Sequence, residues 1–229
     1  MYVRLQPSSL KAQVAQKGRR LRLLAIAGMS VVLTLLPLAV AEAQSQGPRS
    51  CGLAIVQGQA SIERGGQILN ATAGAVLTTN DRLISGPDSR VEIRCNDGIR
   101  LNVGADTRLE MSTLVAGNQA GQNVVLRLLS GIVRVALPAV RSWRRFEVQT
   151  PTAVASVRAT DWIVQAEPSG ATAVFTVEGQ VLVADRAGSQ GAFLNAGEGI
   201  DIRANGEMVP SIRWGEPRVK RTLAAVMPR

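Results

Sequence analysis

Past residue 43 the chain alternates apolar and polar side chains in short runs, and most runs close on a glycine. Residues 91–95 (Val-Glu-Ile-Arg-Cys) and 99–103 (Ile-Arg-Leu-Asn-Val) each turn every second side chain to one face, and Asn96-Asp97-Gly98 between them is turn chemistry. They predict a hairpin with one buried face. Residues 124–129 and 132–137 read as a second pair turning at Ser130-Gly131, and 171–178 with 180–184 as a third turning at Glu178-Gly179. No segment after residue 43 keeps a helical period beyond about two turns, and the supply of glycine and threonine lowers helix propensity further. The pattern predicts an all-β domain, either a stacked, solenoid-like coil of short strands or a β-sandwich.

An internal repeat favours the stacked form. Val56-Gln57-Gly58-Gln59-Ala60-Ser61-Ile62 matches Val177-Glu178-Gly179-Gln180-Val181-Leu182-Val183, and each is followed by Leu-Asn-Ala and a glycine, at Leu69-Asn70-Ala71 with Gly74 and at Leu194-Asn195-Ala196 with Gly197. One supersecondary unit used twice, near the two ends of a domain, suits repeats that share a continuous core.

The first 43 residues follow different rules. Lys17-Gly18-Arg19-Arg20-Leu21-Arg22 precedes residues 23–41, which carry no charge, and Ala41-Glu42-Ala43 follows with small residues at both ends. Basic start, apolar middle and Ala-x-Ala site are the three parts of a secretory signal, cleaved between Ala43 and Gln44. The alternative is an uncleaved N-terminal anchor, since the uncharged run is just long enough to span a bilayer. Either way residues beyond it are expected in the periplasm or outside the cell, and membrane contact is confined to this segment. A polar leader, 44–51, leads into the domain at 52–203, and 204–229 form a C-terminal tail.

Charge and composition narrow the chemistry. The formal net charge of +9 is concentrated at the start, where Arg4, Lys11, Lys17, Arg19, Arg20 and Arg22 face Glu42 alone. What is left is a mildly basic surface, which points away from a nucleic-acid partner. The absence of histidine excludes the Ser-His-Asp and Cys-His relays and every imidazole metal site, and two cysteines are too few for a thiolate cluster. No metal or other cofactor is expected. In an oxidising compartment Cys51 and Cys95 are expected to bridge, the alternative being two buried thiols that never meet.

Taken in order, several segments resemble the FecR domain family. They are Gln57-Gly58-Gln59-Ala60; Leu69, Gly74 and Leu77; Asn80-Asp81-Arg82-Leu83-Ile84-Ser85-Gly86; Asn96-Asp97-Gly98; Thr150-Pro151 through Arg158-Ala159-Thr160; and Ala196-Gly197-Glu198. The resemblance spans roughly 52–203. It departs at Ala159 and Asn80, where the family carries glycine. The resemblance implies a FecR-type β domain with Thr150, Pro151, Arg158 and Thr160 as motif residues. Full-length FecR-like sensors add a cytoplasmic anti-sigma region and a C-terminal part that reads a transporter. With 22 residues ahead of the apolar run and about 25 after the domain, the fold is expected to carry over and the sigma-regulating activity is not.

Two basic patches hold a tryptophan. Arg141, Arg144 and Arg145 around Trp143 offer charge and a stacking plane to an acidic partner face, a phosphate or an acidic glycan; the bland reading is a solvated loop. Arg213 to Arg221 around Trp214 is the second, readable also as a disordered end. Carboxylates are the catalytic groups that remain, and Asp97, Asp106 and Glu110 lie close in sequence, though Asp97 and Asp106 sit in turns. Asp161, after the Arg158-Ala159-Thr160 turn, reads as half of a structural clasp with Arg158. The chain is therefore expected to be an exported, non-catalytic binding or signalling module recognising a protein of the cell envelope. A structural or polysaccharide-associated module is the alternative, and a carboxylate-based hydrolase is the weakest.

Overall fold

The computed structural model describes residues 49–114, 123–138, 145–157 and 161–227. The expected signal segment, with its Ala43–Gln44 junction, lies outside them. From residue 51 onward the chain shuttles between two sheets. β1 (Cys51–Gln57) lies in the first; β2 (Ala60–Arg64), β3 (Gln67–Asn70) and β4 (Arg82–Ser85) lie in the second. β5 (Arg90–Cys95) and β6 (Arg100–Val103) return to the first, and β7 (Arg108–Glu110) goes back to the second. β8 (Asn123–Ala136) belongs to both, pairing with β7 early and with β6 late. Thereafter β9 (Arg145–Gln149) and β10 (Ala153–Val157) take the second sheet, and β11 (Asp161–Ala166) and β12 (Thr172–Glu178) the first. β13 (Gln180–Asp185) and β14 (Gly191–Asn195) close the second, while β15 (Glu198–Ile202) and β16 (Ile212–Arg213) close the first. All of these pairs are antiparallel except β8 with β9.

The all-β expectation holds, and the stacked and sandwich forms describe two aspects of it. Short strands are laid down in chain order, and they form two layers whose inward faces meet. Leu53, Ile93, Leu101, Val133, Val164 and Val174 from the first sheet share one buried cluster with Ile62, Leu83, Leu109, Leu126, Val148 and Val181 from the second. Each such side chain contributes about 1.5–3 kcal/mol when fully buried. No single hairpin has a second face to bury against, so the stack is what makes each strand stable.

Two expected hairpins are corrected. The chain does not turn back at Ser130-Gly131; Asn123–Ala136 form the single strand β8. Val124, Leu126 and Leu128 are buried before Gly131 and Val133 and Val135 after it, so the alternation slips by one where the strand changes sheet. Gly131 takes φ +95°, and a Cβ there would lie 2.2 Å from the Thr107 hydroxyl oxygen. Thr107 in turn accepts the Ile132 N–H at 3.0 Å. Glu178-Gly179 likewise joins strands of different sheets, since β12 pairs with β11 and β15 whereas β13 pairs with β10 and β14. The repeated Val-x-Gly-Gln segment is thus a crossover rather than a hairpin. At its first copy Gly58 has φ +79°, and the Ser89 hydroxyl accepts the Gln59 N–H at 2.9 Å. In both places a glycine changes the strand's direction and a buried hydroxyl pairs with the main chain that follows.

The β5–β6 hairpin forms as expected, with Gly98 at φ +90°. Cys51 and Cys95 are direct partners in the β1–β5 ladder and form a disulfide. Arg49, just ahead of β1, is buried and donates to Asp97 at 2.5 Å and to the Leu114 carbonyl at 3.0 Å.

Residues 204–229, expected as a tail, carry β16 and a helix, α1 (Glu216–Val226), the one helix among the described residues. Pro217 and the acidic Glu216 in the first turn suit a helix start. Val226 and Trp214 are buried with Ile132, Ile163 and Phe175, a second apolar cluster on the outer face of the first sheet. The Trp214 ring stacks on Phe175 at 4.9 Å, and the Arg218 guanidinium lies 3.5 Å from its centre. Among the described residues no helix is long and apolar enough to cross a membrane.

Candidate interaction surface

The expected basic patch reaches the described residues only through Arg145, since Arg141, Trp143 and Arg144 lie outside them. Arg145 opens β9 with its side chain 66% exposed and pairs with Glu147, which is 3% exposed and also accepts from Gln149 and Ser156.

The three carboxylates of the hydrolase reading are each accounted for locally. Asp97 pairs with Arg49 and also accepts the Ile99 N–H, a turn contact. Asp106 sits at φ +50° in the β6–β7 connection. Glu110 lies on the outer face of the second sheet, where Arg82 joins it to Glu63 at 2.5 and 2.8 Å. Glu110 raises the Arg82 guanidinium above its ordinary pKa, against a smaller lowering by burial.

The ends of the two sheets differ in how they are finished. At one end of the first sheet β1 is covered by the β3–β4 loop, where the Leu53 N–H donates to the Ala75 carbonyl and the Leu77 N–H to the Cys51 carbonyl, both at 2.9 Å. At the other end, β16 has two residues and runs into α1. In the second sheet, β3 is exposed along its whole length and faces Glu63 and Arg64 in the ladder.

β14 is different. Leu194 is fully buried and anchors it, and Gly191, Phe193 and Asn195 face outward. Phe193 is 62% exposed and lies directly across from Leu182, itself 38% exposed. The Asp185 N–H donates to the Gln190 carbonyl at 3.1 Å, which sets the phase of the ladder. Ala192 and Leu194 therefore bond to β13, and Gly191, Phe193 and Asn195 turn their main-chain groups away from it. The Asn195 N–H is taken by the Glu198 carboxylate at 2.8 Å. Among the described residues β14 pairs with β13 alone. An edge with free donors and acceptors, uncharged along its length and carrying an exposed aromatic, is a surface to which another strand can add. The sequence carries the signal for it. Leu182 and Phe193 are apolar residues standing at the solvent-facing phase of their strands.

Residues 81–182 match the family model described as FecR protein. Over these residues the chain is similar to a FecR domain. No curated protein matches it. Two crystal structures of a candidate anti-sigma factor from Parabacteroides distasonis ATCC 8503 share the fold, with TM-scores of 0.52 and 0.53 and identities of 17% and 18%. The superpositions cover 62% and 64% of this chain and 63% and 65% of those chains, so just under two thirds of the length of each relative is spanned.

Within the FecR-type domain the motif residues that are described hold the fold. Asp81 has no exposed surface. It accepts from Arg64 at 2.8 and 2.7 Å and from the Thr78 amide and hydroxyl at 2.7 and 2.8 Å. Burial pushes its carboxyl up, but the Arg64 guanidinium and the two Thr78 donors together outweigh this and hold it below the usual carboxylate range. Asn80, standing at a glycine position of the family, takes φ +68°, which asparagine tolerates. Pro151 lies between Thr150 and Thr152, and the hydroxyls of Thr150, Thr152 and Thr172 form a buried chain with links of 2.8 and 2.9 Å. Thr152 also donates to the Gly170 carbonyl at 2.8 Å, which ties the β9–β10 turn to the β11–β12 turn across the two sheets. Arg158 and Thr160 lie outside the described residues. Asp161 takes its guanidinium from Arg134 of β8, at 2.9 and 2.5 Å, a partner that sequence proximity does not indicate.

Proposed function

We propose that the chain is an exported, non-catalytic recognition module of the cell envelope, and that it engages another polypeptide by strand addition at β14. The observation that carries this reading is the open β14 edge with Phe193 and Leu182 on its outer face. The FecR-type domain and the fold shared with an anti-sigma factor support a signalling or regulatory role. The signal-like residues 1–43 and the Cys51–Cys95 bridge support export. The Arg141, Trp143, Arg144 and Arg145 patch is proposed as a secondary contact.

The test is in-cell photo-cross-linking, with a photoreactive phenylalanine analogue placed at position 193 or, as controls, at 68 and 145. Covalent adducts with protein at position 193, in excess of those at 68, support the reading. Adducts concentrated at 145 move recognition to the basic patch, and adducts at none of the three overturn it.

A further inference from the structure

Building on the assignment of β14 as an interaction edge, we infer that its occupant is a second copy of this chain, paired antiparallel about a two-fold axis at Phe193. The geometry of the strand is self-complementary. Its outward-facing main-chain groups belong to Gly191, Phe193 and Asn195, and Phe193 is the midpoint of the five-residue strand. With the axis at Phe193, the Phe193 N–H of each copy donates to the Phe193 carbonyl of the other, and each Gly191 N–H donates to the opposite Asn195 carbonyl. The Asn195 N–H is held by Glu198 and does not donate across the junction. The Gly191 carbonyl opposite it goes without that donor, so the junction rests on the two Phe193 bonds and the two from Gly191 to Asn195.

Side chains fit the same axis. Two Phe193 rings come to lie side by side on the outer face, each flanked by its own Leu182, in a continuous apolar row across the junction. Charge allows it as well. β14 and the two residues before it, Ser189 and Gln190, carry no ionised group. Beyond the strand each end has one charge of each sign, Asp185 with Arg186 at the start and Glu198 with Arg213 at the finish. Antiparallel pairing brings a start against a finish, and because the two charges at each end cancel, no net repulsion opposes the junction. Because Leu194 fixes the strand against the core, pairing costs little ordering entropy. β3 lacks such an anchor and adjoins the Glu63, Arg82 and Glu110 charges. A junction of five residues is small, so the dimer is reversible, with a dissociation constant on the order of 10 µM.

The experiment uses protein purified after expression from its full coding sequence. Sedimentation equilibrium from roughly 1 to 200 µM should show a monomer–dimer equilibrium that Phe193→Lys weakens at least about tenfold, and that Ile68→Lys leaves unchanged. In the paired strands the two Phe193 Cα atoms lie about 5.5 Å apart, within disulfide reach. Phe193→Cys should therefore oxidise to a covalent dimer, and Ile68→Cys should stay monomeric, with far-ultraviolet circular dichroism of every variant matching the parent. A wild-type monomer across the whole range, or a dimer indifferent to Phe193→Lys, overturns the inference. Such a result combined with in-cell adducts from position 193 to a different protein leaves β14 an interaction edge with another occupant. A result of no adducts at all removes both.

Discussion

Asp81 has four donors around a carboxylate that water does not reach, and its protonation is therefore coupled to folding. In the unfolded chain the group titrates at about 4, and in the folded chain below that. The stability it contributes is complete above the unfolded value and is lost as pH falls toward and through the folded one. Asp81→Asn should cost about 1.5–3 kcal/mol at neutral pH. The gap in urea midpoint between wild type and variant should narrow below about pH 4, and a gap that stays constant down to pH 3 would show that the charge does not matter. Phe193, by contrast, should tolerate substitution: Phe193→Lys should change the midpoint of dilute protein by less than about 0.5 kcal/mol, as expected of an exposed residue.

Strand crossings decide how the elements assemble. Gly131→Ala forces a Cβ at φ +95° into Thr107 and should destabilise by more than about 2 kcal/mol in urea unfolding. Gly65→Ala, at φ +57° with nothing within 4 Å, should cost only about 1 kcal/mol. Equal effects would mean that the crossing at Gly131 is held by nothing more than a generic turn preference. Trp214→Ala strips α1 of its stack on Phe175 and of the Arg218 contact, and should cost about 3 kcal/mol, read as a lower melting temperature. The β5–β6 hairpin is legible from alternation and an Asn-Asp-Gly turn because all of its determinants are local. β8 is legible in its residues but easily misread, because a slip in alternation at a glycine looks the same for a turn and for a strand changing sheets. Only the partners, β6 and β7, distinguish the two, and they lie elsewhere in the chain. The helix is hidden for a related reason. Apart from the Trp214 that precedes it, α1 buries Val226 alone, with Val219 and Leu223 half-covered, so its apolar stripe is thin. The β14 edge was readable as a phase violation at Leu182 and Phe193, whereas the Arg134–Asp161 pair depends on strand register and was not.

At the scale of the whole molecule, a disulfide joins neighbouring strands that are 44 residues apart in sequence. Replacing both cysteines by alanine should lower stability by about 4 kcal/mol through the freed unfolded chain. Thiol labelling of intact cells should find Cys51 and Cys95 oxidised if the domain is exported, and reactive if it stays in a reducing compartment. Among the described residues β14 is an open, uncharged edge anchored by the buried Leu194, and the proposed activity depends on that edge. Amide hydrogen exchange measures its state directly. In dilute purified protein Gly191 and Phe193 should exchange rapidly while Ala192 and Leu194, bonded to β13, are slow, and raising the concentration should slow Gly191 and Phe193 alone. Equal protection of all four amides at every dilution would show that β14 is already covered within its own chain, contradicting the account.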